Sequence, residues 1–219
     1  MSITITPIPY AESVLREDWV FRGGDPQGRL PIVFCLYLVE TEGKKILVDA
    51  GCETMPGFDM RNFISPVEAL KRKGLFPEDI TDLVITHAHH DHIECAKYFT
   101  CAVVHIQQEE AARAQKRNYL PPPLTLNLFD TAYHLCEGVD ILCIGGHSIG
   151  SSVVTVRGAH TTYVIAGDEC YRQECLTRKI PTGNSACPEK SQAFIQTYSA
   201  PEYTVLLAHD LSNIGGIQS

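Results

Sequence analysis

Residues 86–94, Thr86-His87-Ala88-His89-His90-Asp91-His92-Ile93-Glu94 (THAHHDHIE), follow the short apolar run Asp82-Leu83-Val84-Ile85. That run is short, β-branched and flanked by polar residues, so it reads as a buried strand, and a helix is expected from Asp91 to Tyr98. The histidines therefore fall in the turn between a strand and a helix, where a rigid scaffold commonly presents functional groups. Residues two apart in extended backbone point to one side, so His87 and His89 can converge on a single metal ion. Asp91 and His92, at the start of the helix, can face a second ion nearby. Imidazole with carboxylate suits zinc, iron or manganese, and the segment holds no thiolate pair of the kind that closes a structural zinc site. His90 is out of phase with the ligand pair and is expected on the loop surface.

Upstream, the chain is strand-rich: Ile3 to Ile8 alternates, Val33 to Thr41 is apolar and β-branched, and Lys45 to Asp49 ends at Ala50-Gly51, with Glu42-Gly43 marking a hairpin turn. Residues 52–65 read as a loop that walls a pocket. A helix is expected from Ser65-Pro66 to Gly74, with proline in its first turn and Lys71, Arg72 and Lys73 near its end. Downstream come a strand at 102–106, a helix over Gln107 to Lys116 and an irregular segment over 117–135, with three consecutive prolines at 121–123, that suits a lid. Three strands follow at 139–145, 151–158 and 161–168. A helix over Pro188 to Tyr198 and a last strand at 203–210 complete the chain. Hairpins mixed with strand-helix steps predict an α/β fold of two mixed sheets covered by helices, in one domain over residues 1–219.

Composition narrows the function. With 219 residues, 44% hydrophobic and 20% charged, the chain suits a packed globular domain. A formal charge of −8 works against partners held mainly through phosphate, so neither nucleic acid nor an anionic membrane surface is expected. No apolar run approaches the roughly 18 residues of a spanning helix. The N-terminus shows no basic segment followed by an apolar one, so a cytoplasmic location is expected. Nine cysteines, an odd and scattered set, read as buried free thiols in a reducing compartment.

The segment HAHHDH resembles the signature of the metallo-β-lactamase superfamily, and four further segments agree with that family in order and context. Asp49 in LVDAG resembles its second-strand Asp-Thr-Gly, with Ala50 in place of threonine. His147 in GGHSIGSS, Asp168 in VIAGDE and His209 in LLAHD match its later ligand positions. The resemblance runs from about residue 30 to 210. It implies a four-layer αββα sandwich with two metals at one edge between the sheets. One ion would take His87, His89 and His147, the other Asp91, His92 and His209. Asp168 would bridge both, and Asp49 would orient a histidine ligand from behind. His105, His134 and His160 read as core or surface residues.

The resemblance implies two such ions, zinc with iron or manganese as alternatives, which would ionise a bridging water and polarise a carbonyl, so hydrolysis of an ester-like bond is the implied chemistry. An aspartate rather than a cysteine stands at 168, and Tyr171 follows it in Asp-x-x-Tyr spacing, which resembles the acyl-homoserine lactonases. Tyr171 would donate to the developing oxyanion and Asp91 would relay a proton to the leaving alkoxide. The expected substrate is a small lactone, ester or thioester. The alternatives are a glyoxalase II-like thioesterase, an iron-dependent redox enzyme and a phosphodiesterase. Ile93-Glu94-Cys95 replaces glycines that most members carry. Phe21, Phe58, Phe63, Leu120 and Phe129 are candidates for an acyl pocket, and a homodimer is the default assembly.

Overall fold

Strands β1 (Thr4–Arg16) and β2 (Arg29–Thr41) pair antiparallel along almost their whole length, and their sequence explains how the rest of the molecule is layered. Residues 32–39 of β2 are all buried, as expected of a strand covered on both faces. Ile32, Phe34, Leu36 and Leu38 point into one apolar cluster, whereas Val33, Cys35, Tyr37 and Val39 point into another. The second cluster also takes Val139, Ile141, Val154, Val156 and Leu206 from the opposite sheet, so it is the core between the sheets. The first lies under the helices. Each fully buried Val, Leu or Ile contributes roughly 1.5–3 kcal/mol, so neither face can be made polar cheaply.

A computed structural model of the chain describes residues 3–210 and 212. The outer limits of the domain expected over 1–219 lie outside the described residues. In the first sheet β1 and β2 are followed in order by β3 (Lys44–Val48), β4 (Asp82–Ile85), β5 (Val103–Gln107) and β6 (Thr125–Phe129), the last three pairings being parallel. The second sheet runs β11 (Tyr203–Leu206), β10 (Thr162–Ile165), β9 (Ser152–Arg157), β8 (Val139–Cys143), β7 (Ala132–Cys136), with only β10 and β11 parallel. Both sheets are therefore mixed.

Helices α1 (Glu17–Val20), α2 (Pro66–Lys71), α3 (His90–Ile93), α4 (Gln108–Lys116), α5 (Gln173–Arg178) and α6 (Pro188–Tyr198) fill the outer layers and the turns at the sheet ends. Ser65 caps α2, its hydroxyl accepting from Glu68 N, and proline opens the helix. On the far side α6 packs on β11 and α5.

Two expectations need correction. Residues 117–135 are not an irregular lid, because they contain β6 and all but the last residue of β7. The edge strand β6 is half-exposed, with Leu128 51% exposed, so it lacks the apolar pattern that marks an interior strand, and the prolines before it mask its start. The helix expected over Asp91–Tyr98 is instead one α turn, α3, followed by a 3-10 stretch at Glu94–Tyr98. All nine cysteines are free thiols. No helix among the described residues is long and apolar enough to cross a membrane.

Candidate metal centre

The ends of β4, β8, β10 and β11 bring four loops to one edge of the sandwich, and seven side chains from those loops form two adjoining groups. His87, His89, His147 and Asp168 make one, and Asp91, His92 and His209 the other, with the candidate ligand atoms of each group within 4.8 Å of one another. The Asp168 carboxylate stands between them. Its Oδ2 lies 3.5 Å from His87 Nε2 and 3.3 Å from His147 Nε2, while its Oδ1 lies 3.1 Å from His92 Nε2 and 3.0 Å from His209 Nε2. Asp91 Oδ2 is 3.6 Å from His92 Nε2 and 3.7 Å from His209 Nε2. A tetrahedral ion with bonds of roughly 2.0–2.2 Å has donor-to-donor edges of about 3.3–3.6 Å, so spacings of this size suit a metal in each group. His89 turns Nδ1 inward, 3.0 Å from His87 Nε2 and 2.9 Å from His147 Nε2.

The fit to metal is tested by atoms that the protein leaves unpartnered. Among the described residues His92 Nε2 and Asp168 Oδ1 are buried without a hydrogen-bond partner. Such atoms cost free energy unless something satisfies them, and an ion at the second group would take both.

The outward-facing ring nitrogens are tied to the scaffold. His92 Nδ1 lies 2.7 Å from Asp49 Oδ2, His147 Nδ1 2.7 Å from the Asn184 carbonyl, and His209 Nδ1 2.9 Å from the Val33 carbonyl. Each contact fixes the ring and leaves Nε2 to face the cluster. Asp49 holds φ 64°, a left-handed conformation uncommon outside glycine and asparagine, and also accepts from Thr86 N and Thr86 Oγ1. Gly167, at φ 50°, lets the backbone before Asp168 pass Thr86, since a Cβ there would sit 2.8 Å from Thr86 Oγ1.

The protein's own charges set opposite tendencies in the imidazoles. Burial and then the neighbouring His92 hold His87 well below its ordinary pKa, and burial with His147 brings His89 down to about 4. Burial would lower His92 too, but Asp168, Asp49 and Asp91 outweigh it and hold that ring well above its usual value; Asp168 and Asp91 raise His209 in the same way. Asp168 is buried, which alone would raise it, yet the four surrounding imidazoles keep it well below the carboxylate range.

A cavity of about 210 Å³ opens on the cluster. Tyr171 lines it and donates from Oη to Asp168 Oδ2 at 2.9 Å, its ring stacked on His209 with centroids 5.4 Å apart. Burial and then Asp168 push this phenol well above its usual pKa. Of the five candidate acyl-pocket residues only Phe58 lines the cavity. Phe21 and Leu120 belong to the core beneath the helices, Phe129 to the core between the sheets, and Phe63 is 39% exposed. The apolar wall is completed by Met55, from the 52–65 loop expected to wall a pocket, and by Leu15, Trp19, Ile32 and Phe34, whose places in β1, α1 and β2 gave no sign of it in the sequence. His90 is a further correction. It is half-buried and lines the cavity, with Nδ1 2.9 Å from Tyr119 Oη and Nε2 2.8 Å from the Thr54 carbonyl, because the one-turn helix α3 rotates it inward. His105 is buried beside Asp82, and His134 is exposed beside Asp140.

Two mixed sheets between helices, with paired imidazole and carboxylate groups open to a cavity at their common edge, define a dinuclear metal-dependent hydrolase. The sequence profile of the Metallo-beta-lactamase superfamily matches residues 36–194, and the chain belongs to that superfamily. It is 30% identical to an N-acyl homoserine lactonase of Bacillus cereus, over 68% of each chain. Its fold superposes with a TM-score of 0.83 on an N-acyl homoserine lactone hydrolase solved with the product N-hexanoyl-L-homoserine at its catalytic metal centre, at 22% identity over 97% of this chain and 95% of that one. A dizinc quorum-quenching lactonase superposes at 0.75, with 15% identity over 96% and 88%.

Proposed function

We propose that this hydrolase opens the ring of an acyl-substituted lactone, of the acyl-homoserine lactone kind, with two zinc ions as its metals. The observation that carries the reading is Tyr171: a buried phenol in the cavity wall, hydrogen-bonded to the carboxylate that stands between the two groups. One ion would be held by His87, His89 and His147, the other by Asp91, His92 and His209, with one oxygen of Asp168 for each. When bound, such a pair supplies an ionised water at neutral pH and polarises the ester carbonyl.

The chain's own residues would do the rest. Tyr171 keeps its proton, since its pKa is raised, and with Asp168 Oδ2 taken up by an ion the O–H that now points to that oxygen would turn to the carbonyl oxygen as negative charge develops on it. Asp91, its side chain 10% exposed and lining the cavity, would take the proton released by the attacking water on a carboxylate oxygen and deliver it to the departing ring oxygen. Leu15, Ile32, Phe34, Met55 and Phe58 give the acyl chain an apolar wall that excludes water.

The cavity wall also separates a lactone from a glutathione thioester. Among the described residues it contains no Lys or Arg to receive glutathione's carboxylates. Arg16 and Arg29 stand in an outer groove beyond Trp19, already engaged by Asp18 and by the carbonyls of Pro26 and Gly28. The relative named as an N-acyl homoserine lactonase supports the substrate, and the superposed quorum-quenching lactonase named as dizinc supports the metal. The test is a panel of acyl-homoserine lactones, simple lactones and acyl-glutathione thioesters given to the zinc-loaded protein. Ring opening of the acylated lactones at the highest kcat/KM is expected, and turnover confined to the thioesters would overturn the reading.

A further inference from the structure

Glu110 is wholly buried, yet it belongs to none of the groups that face the cavity. It sits in the first turns of α4, after a strand of the first sheet, and points away from its own helix toward the metal centre's floor. Oε2 accepts from Ala88 N at 2.8 Å; Oε1 accepts from Ser148 Oγ at 2.8 Å and Gly150 N at 3.1 Å. Ala88 lies between His87 and His89 on the loop after β4, and Ser148 follows His147 on the loop between β8 and β9. One carboxylate thus ties together the backbones that carry the three imidazoles of the first group, across the junction of the two sheets. Gly150 permits the close approach, since a Cβ there would lie 2.2 Å from Gln107 Oε1 and 2.9 Å from Glu110 Cγ. Arg113 Nη1, 4.0 Å from Oε2, is the one cation beside it among the described ion pairs.

The other loop contacts differ in reach. Glu169, also buried, accepts from Gly146 N, His147 N and Ser151 Oγ, but it follows β10 and so joins loops of the second sheet only. A backbone bond from Ser152 N to Thr86 O crosses between the sheets at the base of the loops and fixes neither histidine directly. Ala88 N is the amide between His87 and His89, and fixing it holds the backbone from which both rings reach the cluster.

We infer that Glu110 is a positioning residue that clasps the His87–His89 loop of one sheet to the His147 loop of the other and so sets the three-imidazole group before any ion arrives. Its effect is therefore confined to one of the two ions. This rests on the two-metal reading of the cluster. The carboxylate has only acceptors, and all three of its partners are donors. Glu110→Gln keeps the volume but turns an amide NH2 on one of those donors, and Ser148→Ala removes one contact while leaving the buried carboxylate intact.

The experiment is titration of the metal-free full chain and both variants with Co2+ alone, following heat and ligand-field absorption. The parent protein should take two ions. In Glu110→Gln one dissociation constant should weaken on the order of 10-fold, the low end of what loss of a direct hydrogen bond to a ligand costs, because Glu110 holds the loops and not the rings, while the other constant holds. The absorption of the weakened ion should shift, and Ser148→Ala should reproduce the pattern at smaller size. Equal weakening of both ions, or unchanged affinity for both in a folded variant, would overturn the inference. If Glu110→Gln does not fold, Ser148→Ala decides, and unchanged affinity at both sites there contradicts the clasp. A parent protein that binds no Co2+ would instead remove the two-metal reading itself.

Discussion

Asp49 and His92 are joined at 2.7 Å between Oδ2 and Nδ1, with the carboxylate delivered from the end of β3 by a residue in left-handed backbone. The contact holds the imidazole from behind and leaves Nε2 without a hydrogen-bond partner among the described residues. Asp49→Asn should therefore weaken the ion at the Asp91, His92 and His209 group by about 10- to 100-fold, with a smaller loss at the other ion, whose His87 Asp49 reaches only through Thr86 Oγ1, 3.1 Å from His87 Nδ1. Competition with a chromophoric chelator reads the two constants separately; equal loss at both sites would show that Asp49 acts only on the fold.

Tyr171→Phe removes a single oxygen from a ring packed against His209. The expected result is a fall in kcat on the order of 100-fold, as for loss of one donor to a developing oxyanion, with metal content still at two ions per chain. An unchanged kcat would reduce Tyr171 to packing.

The legibility of this site in the sequence was uneven for physical reasons. His87, His89, Asp91 and His92 are close in sequence, so spacing alone suggested that they share a site. His147, Asp168 and His209 came into view only through resemblance, since nothing local to each tells a strand-end histidine from a core one. Glu110 and Glu169 were invisible, because a charged residue in a helix or turn reads as solvated until the fold buries it. The sheets were legible where strands are covered on both faces, as in β2. They were illegible at the edge strand β6, whose exposed side carries no apolar pattern.

The cavity wall makes its own prediction. Phe58→Ala removes an aromatic face from the apolar side of the cavity. KM for a long-acyl lactone should rise roughly 10-fold, consistent with about 1.5 kcal/mol of lost burial, while an unsubstituted lactone should keep its KM. Steady-state kinetics on the two substrates checks this, and an equal rise for both would place the acyl chain elsewhere.

A buried pair away from the centre predicts acid sensitivity. Burial would raise the pKa of Asp82, but hydrogen bonds from His105, Lys44 and Thr81 outweigh it and hold the carboxyl well below the usual range. A depressed folded pKa means that the stabilisation is present above the unfolded value, about 3.9, and is lost as pH falls below it. Asp82→Asn should cost roughly 2–4 kcal/mol at pH 7, with a smaller difference from the parent at pH 3. Urea unfolding of the metal-free proteins at both pH values measures it; a difference that grows toward low pH would reverse the sign.

Lactone opening at this edge of the sandwich should need both ions. Its most direct test is to add Zn2+ stepwise to the chelator-stripped protein while following acyl-homoserine lactone opening by proton release. Activity should rise until two equivalents per chain are bound and should be lost in Asp168→Ala. Full activity in the metal-free protein, or none with two ions bound, would contradict it.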